Sequence, residues 1–406
     1  MNIIDIITKK KNKSELSYDE LSFAFNGYLK KDVADYQMSS LLMAITINGL
    51  NLRETIDLTD IFIKSGEIYE FKKKVADKHS TGGVGDTTTL IVGPIVASLG
   101  IPIAKMSGRG LGITGGTADK LESIPGFKLV LSKKEFIDQV NTVGIAQCTQ
   151  SDDIVPLDKI IYALRDVSGT TECLGLIASS IMSKKIACGG TYIVLDIKVG
   201  PGALIKTVKE AQTFADWCIK IGEHYKRKVK TIISPMSSPL ASSIGNALEV
   251  LEAIEVLKGK TGNLRTASVE LAANIIALAK NIKVADAIIL AENCLKQGLA
   301  YQMFEKWIHA QGGDLTGIKV SDKILNIHSS TNGRIESISA ENCGKLSLKL
   351  GAGRLTKDAK IDYSVGIKLL CHEGQTVKKG DVLAELYVSD YKISLTPADL
   401  KLFVIK

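Results

Sequence analysis

The chain has 406 residues, more than one ordinary core accommodates, so two or three domains are expected. Hydrophobic residues make up 45% and charged residues 23%, the composition of a soluble globular protein, while aromatics at 5% argue against a stacking platform for single-stranded nucleic acid. The net charge of +7 is spread as scattered lysines, and no zinc-finger, RNP or basic-zipper pattern accompanies the short clusters at 9–13 and 72–74; no nucleic-acid partner is expected, and the charge suits a small anionic substrate.

Residues 1 to about 65 read as short amphipathic helices. Ser17 with Glu20, and Asn51 with Glu54, fit the capping-box spacing, and Gly66 is a natural stop. MNIIDIITKKKNK places its charges after a short apolar stretch and has no cleavage site, so it is not a signal peptide. From residue 75 onward, β-rich runs at 101–106, 191–199 and 230–233 alternate with longer helical stretches, which implies βα units and a largely parallel sheet. Residues 157–185 are helical again, as if the chain returns to a helical domain before re-entering the sheet. Residues 266–297 form a strong helical pair, and after about Gly333 short alternating strands with Gly and Asp turns begin a third module. The longest apolar run, 90–104, is broken by Gly93, Pro94, Gly100 and Pro102 and is too short to span a bilayer. Seven dispersed cysteines without a C-x-x-C pair read as free thiols in a reducing compartment, so a cytoplasmic protein is expected.

Three stretches carry chemistry. In DKHSTGGVGDTTT (77–89) three glycines bring backbone N–H groups together, hydroxyls flank them, and a helical pattern follows at 90–99. Backbone donors, a helix N-terminus and Lys78 together make an anion nest; no GK[ST] closes it, so it is not a Walker loop. The second loop, KMSGRGLGITGGTADK (105–120), follows the expected strand at 101–106. Gly110, Gly112 and Gly115 match G-x-G-x-x-G formally, but the acidic residue that would close a later strand of a dinucleotide fold is not evident. Two such loops more naturally converge on one anion at the carboxyl end of a sheet, with Ser107 and Thr117 as side-chain donors. Arg109 and Asp119 either hold the loop or touch a ligand. The third stretch is YALRDV (162–167) followed by LIASSIMSKK (176–185). Ser180 and Lys184 are four apart and share a helix face, whereas Lys185 points roughly 100° away. Arg165 offers a planar fork for carbonyl oxygens. Each of these alone could belong to a surface helix; with the phosphate loops they form a set able to grip a pyrimidine edge.

In their order and spacing KHSTGGVGD, MSGRGLGITGGTADKLESIPGF, YALRDV, SSIMSKK and DIKVG resemble the thymidine and pyrimidine-nucleoside phosphorylase family over nearly the whole chain. The resemblance implies an α/β protein: a small all-helical domain plus a large mixed α/β domain with a C-terminal β-rich α+β module. On it, residues 1–66 and 157–188 form the helical domain, the dimer and base-binding side. Residues 73–150 and 190–330 form the phosphate-binding α/β domain, and 333–406 the last module. That module is also similar to lipoyl-carrier hairpins in GQTVKKGDVLAEL, yet no Met-Lys-Met is present, so it is not expected to be a carrier.

The resemblance further implies that Lys78, Ser80, Thr89, Ser107 and Thr117 hold phosphate, with Lys105 beside them, and that Arg165, Ser180 and Lys184 hold the base. His79 lies near base and sugar, and His79, Arg165 and Lys184 are the expected catalytic residues. Lys105-Met106 before Ser107 matches the broad pyrimidine-nucleoside branch. That branch binds a potassium-like ion, whose positions here are Gly85, Thr87, Leu240, Ser243 and Glu252. No organic cofactor is implied, and inorganic phosphate is the co-substrate. A homodimer with hinge closure is implied, as is reversible phosphorolysis of uridine, thymidine and deoxyuridine. Ile113, Gly175, Pro201 and Leu204 depart from the family pattern and bear on closure and rate. Two rivals are an anthranilate-type phosphoribosyltransferase, which would need acidic residues for Mg²⁺–pyrophosphate, and a non-catalytic phosphate or nucleotide sensor.

Overall fold

The computed structural model describes residues 1–110, 113, 115–354 and 359–406. Four helices open the chain: α1 (Ile3–Lys11), α2 (Tyr18–Leu29), α3 (Asp35–Asn48) and α4 (Leu52–Lys64). Both expected capping boxes form. Ser17 Oγ accepts from the Glu20 amide at 3.2 Å while Glu20 accepts from the Ser17 amide at 2.7 Å, and Asn51 and Glu54 exchange the same bonds at 2.9 Å. Glu54, buried, also accepts from Lys10 Nζ at 2.8 Å and from the Leu16 amide at 2.9 Å. A carboxylate whose acceptor sites are all engaged can be buried without a large desolvation cost, and here it ties α1 to α4. Gly66 follows the C-cap Ser65, but its backbone is not left-handed. A Cβ there would lie 2.3 Å from the Asp153 carbonyl oxygen, so close chain approach requires the glycine.

Then follow β1 (Val75–Ser80), α5 (Thr88–Ser98), β2 (Ile103–Met106), α6 (Thr117–Glu122), α7 (Lys133–Val143), β3 (Ile145–Cys148), α8 (Pro156–Ser168), α9 (Leu174–Ala187), β4 (Gly190–Val199), α10 (Val208–His224) and β5 (Lys228–Pro235). The five strands make one sheet in the order β3-β2-β1-β4-β5, with β2 and β3 parallel from Ile103–Ile145 to Met106–Cys148. The chain winds outward from β1 in one direction and returns through β4 in the other. The switch point of this topology therefore lies between β1 and β4, where open parallel sheets bind ligands beyond the carboxyl ends of their strands. The apolar helix α5 is buried over nearly its whole length against α12 (Asn263–Lys280) and α14 (Leu299–Ala310).

The remaining elements are β6 (Ser243–Ile244), α11 (Asn246–Leu257), α13 (Val284–Lys296), β7 (Ile324–His328), β8 (Gly333–Ile338), α15 (Ala340–Ser347), β9 (Gly366–Leu369), β10 (Thr376–Val377), β11 (Val382–Tyr387) and β12 (Phe403–Ile405). Two antiparallel sheets, β10-β8-β12 and β6-β9-β11-β7, enclose a core that includes Ile335, Ile338, Leu346, Val365, Ile367 and Leu386. Its edge strand β6 comes from far upstream, pairing Ser243 with Lys368. The chain divides into two compact units: a helical one of residues 1–77, 150–193 and 212–230, and an α/β one of residues 78–149, 194–211 and 231–406. All seven cysteines are free thiols, and among the described residues no helix is long and apolar enough to cross a membrane. The observed class is the expected one: helical bundle, parallel α/β core and an antiparallel β-rich C-terminal module.

Candidate active site

Residues two apart on a strand share a face, which pairs Lys78 with Ser80 on β1 and Asp196 with Lys198 on the neighbouring β4. Lys78 is buried, donates to Thr88 Oγ1, and lies 3.7 Å from Asp86 Oδ1. Lys198 pairs with Asp196 at 2.8 Å. A third buried ammonium, Lys120 from α6, donates to the Asp86 carbonyl oxygen at 2.6 Å and pairs with Glu249 of α11 at 2.6 Å. Three buried lysines thus stand with three buried carboxylates, Asp86, Asp196 and Glu249. A lone ion so buried would cost several kcal/mol, and this pairing offsets that penalty. Burial pushes the Lys78 ammonium below the ordinary lysine range despite Asp86. Burial alone would raise the Asp86 carboxyl, but Lys78, Lys198 and Lys120 hold it well below the usual carboxylate range. For Lys198 the attraction of Asp86 and Asp196 outweighs burial, and its value rises.

The glycine loop differs from the open nest expected of it. Its donors gather on protein acceptors, chiefly Asp86: Ser80 Oγ donates to Asp86 Oδ2 at 2.5 Å, and the Thr88 amide and hydroxyl donate to Oδ1 at 3.2 and 2.5 Å. The Thr81 amide donates to the Asp196 carbonyl at 3.0 Å and the Gly82 amide to Ser80 Oγ at 3.3 Å. Asp86 immediately precedes the cap of α5, where a carboxylate is favoured by the helix N-terminus. Sequence pattern assigns it no role, although it stands in the quoted motif. Among the other expected phosphate residues, Thr89 and Lys105 line one small cavity together with Lys78. Ser107 Oγ is buried with no hydrogen-bond partner among the described residues. Thr117 opens α6, and its link to the cradle runs through Lys120, three residues on.

Arg109 and Asp119 hold the second loop. Arg109 bonds Glu122 at 2.6 Å and Asp119 at 3.3 Å, while Asp119 accepts from the Gly110 amide at 2.6 Å and from Arg354 at 3.0 Å. A Cβ at Gly116 would meet the Gly110 nitrogen at 2.1 Å, so this loop closes on itself through glycine. Gly112 of the G-x-G-x-x-G match lies outside the described residues. The carbonyl oxygen of Ile113 packs close to Gly344 of α15.

Of the five positions assigned to a monovalent cation, Gly85, Thr87 and Leu240 lie in loops, Ser243 opens β6 and Glu252 lies on α11. The Leu240 amide donates to the Val84 carbonyl at 3.1 Å, and Gly85, with φ +68°, lies against the Ala241 backbone. Thr87 Oγ1 donates to Glu249, while Glu252 accepts from the Ser243 amide at 2.6 Å and the Ser242 amide at 3.2 Å. These positions can offer an all-oxygen set of carbonyls, a hydroxyl and one carboxylate, the donor chemistry a hard cation takes.

The helical unit carries the second group. Arg165 and Ser180 are buried, so they do not belong to a surface helix. The Arg165 guanidinium donates to the carbonyl oxygens of Thr170 at 3.0 Å, Thr171 at 2.9 Å and Leu176 at 3.4 Å, bracing the turn into α9, and it stacks 5.8 Å from the Tyr162 ring. Lys184 donates to Ser180 Oγ at 2.7 Å and pairs with the buried Asp158 of α8, a partner that sequence spacing did not suggest. Burial lowers both the Arg165 and the Lys184 values, with Asp158 opposing in each case. Lys185 turns inward to pair with Asp77 at 2.8 Å. His79 is half-buried on β1, next to Lys78. At Gly175 a Cβ would meet Leu50 Cβ and Thr55 Oγ1 at 2.9 Å, so the glycine lets α9 close on α4.

Comparison with known proteins places the chain in a family. The sequence model described as the glycosyl transferase family a/b domain matches residues 72–301, its helical bundle domain matches 4–66, and a pyrimidine nucleoside phosphorylase C-terminal domain matches 334–395. A pyrimidine-nucleoside phosphorylase from Geobacillus stearothermophilus is 46% identical over 95% of this chain and 92% of its own length. One from Bacillus subtilis is 45% identical over 96% and 92%. Anthranilate phosphoribosyltransferase from Thermus thermophilus aligns with a TM-score of 0.62 over 76% of this chain and 99% of its own, at 15% identity, a likeness of fold alone. The chain therefore belongs to the glycosyl transferase family, in its pyrimidine-nucleoside phosphorylase branch, and is an enzyme of the pentosyltransferase class.

Proposed function

We propose that the enzyme catalyses reversible phosphorolysis of uridine, thymidine and deoxyuridine, yielding the free pyrimidine and (2-deoxy)-α-D-ribose 1-phosphate. The observation that carries this reading is the trio of buried ammonium groups, Lys78 and Lys198 toward the carboxyl ends of β1 and β4 and Lys120 from α6. Phosphate approaches C1′ on the face opposite the base as an oxocarbenium-like centre develops. The C1′–N1 bond breaks with its electron pair going to the pyrimidine, and a phosphate oxygen bonds to C1′. No covalent nucleophile is required, so the configuration at C1′ inverts. Lys78, Ser80, Thr89, Lys105, Ser107 and Thr117 bind the phosphate. Arg165 and Lys184 stabilise the departing pyrimidine anion, Ser180 fixes the ring, and His79 donates to O2. Gly85, Thr87, Leu240, Ser243 and Glu252 would hold a potassium ion, whose charge would fix the loop at 84–87. A cytoplasmic homodimer completes this reading.

The test is to incubate the enzyme with uridine and thymidine, with and without phosphate, and to follow free base and the anomer of the sugar phosphate. Phosphate-dependent release with the α-anomer as product is expected. Base release that does not need phosphate, or no release from either nucleoside, would overturn it.

A further inference from the structure

The edge of the sheet holds a polar group that the reaction as described does not use. Gln147, in β3, is fully buried, and neither its Nε2 nor its Oε1 has a hydrogen-bond partner among the described residues. Leaving both ends of a buried amide unmade is costly, so such a group calls for a cause. Nor can the chain easily turn it elsewhere. The Gln147 amide N–H donates to Gln311 Oε1 at 2.9 Å and its carbonyl accepts from Gln311 Nε2 at 2.8 Å. The other side of the strand is locked to β2, with Gln147 in register with Lys105. Registered residues of neighbouring strands project to the same face. Gln147, Lys105, Lys78 and Thr89 accordingly line one cavity, whose other walls include Val92 and Trp307. A polar row thus crosses three adjacent strands, from Lys78 on β1 through Lys105 on β2 to Gln147 on β3.

We propose that Gln147 is a positioning residue of the phosphate site, its amide oxygen holding the Lys105 ammonium toward the bound anion. An ammonium has three donors, and one from Lys105 is on the Met106 carbonyl at 3.2 Å. When phosphate binds, a second donor passes to Gln147 Oε1, which has no partner among the described residues, and fixes the direction of the third. Lys105 is thereby held on the cavity it shares with Lys78 and Thr89. This rests on the phosphate reading of Lys78, Thr89 and Lys105, so Lys78→Met is measured alongside.

The experiment compares steady-state constants for phosphate and uridine, with thermal melting, in Gln147→Met, Gln147→Glu, Lys105→Met, Lys78→Met and the Gln147→Met/Lys105→Met pair. Gln147→Met is expected to raise KM for phosphate about 3- to 10-fold, the worth of one hydrogen bond. KM for uridine should not change, and melting should occur at the same temperature or higher, because an unpaired buried amide has been removed. Gln147→Glu places a like charge beside the anion and should raise KM for phosphate further. Its isosteric side chain also keeps the test open if the methionine variant folds poorly. The double variant should be no worse than Lys105→Met alone, since Gln147 acts through that lysine. An unchanged phosphate KM in Gln147→Met beside a raised one in Lys78→Met, or losses that add in the double variant, overturns the role of Gln147. An unchanged phosphate KM in Lys78→Met removes the phosphate reading beneath it.

Discussion

The two clusters of buried charge are built on different balances. In the α/β unit three lysines meet three carboxylates, and the donors of the glycine loop converge on Asp86. In the helical unit Arg165 and Lys184 have one carboxylate near them, Asp158, and Arg165 spends its hydrogen bonds on neutral carbonyls. The difference suits what each is asked to bind. On the proposed reading phosphate arrives as an anion, and the α/β cluster that would take it carries internal carboxylates that pair with its lysines. A pyrimidine arrives neutral and becomes an anion only as its bond to the sugar breaks. If Arg165 and Lys184 face the base as proposed, their surplus positive charge is complementary to the transition state more than to the ground state, the kind of difference that raises kcat.

The largest effect should come from the residue that combines both tasks. Arg165→Met is expected to lower kcat/KM for uridine by about 10²–10³. It should also destabilise the protein by about 2–4 kcal/mol, because the buried Thr170 and Leu176 carbonyls and the half-buried Thr171 carbonyl lose their donor. Steady-state kinetics and denaturant melts check the two parts separately. Lys184→Met should lose a similar factor in kcat/KM and should also lose stability, because the bond to Ser180 goes and the buried Asp158 carboxylate is left without its ion-pair partner. Activity within twofold of the parent in either variant would break the contrast drawn above, because the surplus charge would then do nothing for the departing base.

Much of this was legible in the residues, for reasons of short-range geometry. The spacing of Ser180 and Lys184 fixed a shared helix face, and the two capping boxes the starts of α2 and α4. What stayed hidden depended on the shape of the loop and on contacts distant in sequence. Whether the loop's donors face a ligand or Asp86 is decided by three dimensions, as is the pairing of Lys184 with Asp158, 26 positions away. A lone glutamine in the apolar run IAQC gives no hint that it stands beside Lys105, and two residues as short as Ser243–Ile244 give no sign of the strand they form with β9. Asp196 and Lys198 could have been found, since two residues of opposite charge at strand spacing, in a motif already singled out, invite the question of what faces them.

Acid stability offers a smaller and sharper test, because it separates buried from exposed charge. The Asp86 carboxyl is depressed in the folded protein. A group of this kind contributes stability that is present above its unfolded value, near 4, and is lost as pH falls through the folded one. Asp86→Asn should remove that contribution, so the variant melts earlier than the parent at pH 7 and the gap narrows in acid. Asp399 in the C-terminal module is depressed to about 2, first by its bond to Lys349 at 2.6 Å and then by those from Thr396 at 2.7 Å, so the same sign applies between about pH 4 and 2. Its carboxylate is open to solvent, where salt and water screen the interaction, and Asp399→Asn should shift the melting temperature at pH 7 by about 1 °C or less. Equal shifts in the two variants would mean that burial is not what gives the Asp86 cluster its weight, and the balance of three lysines against three carboxylates would then be a surface arrangement in its energetics.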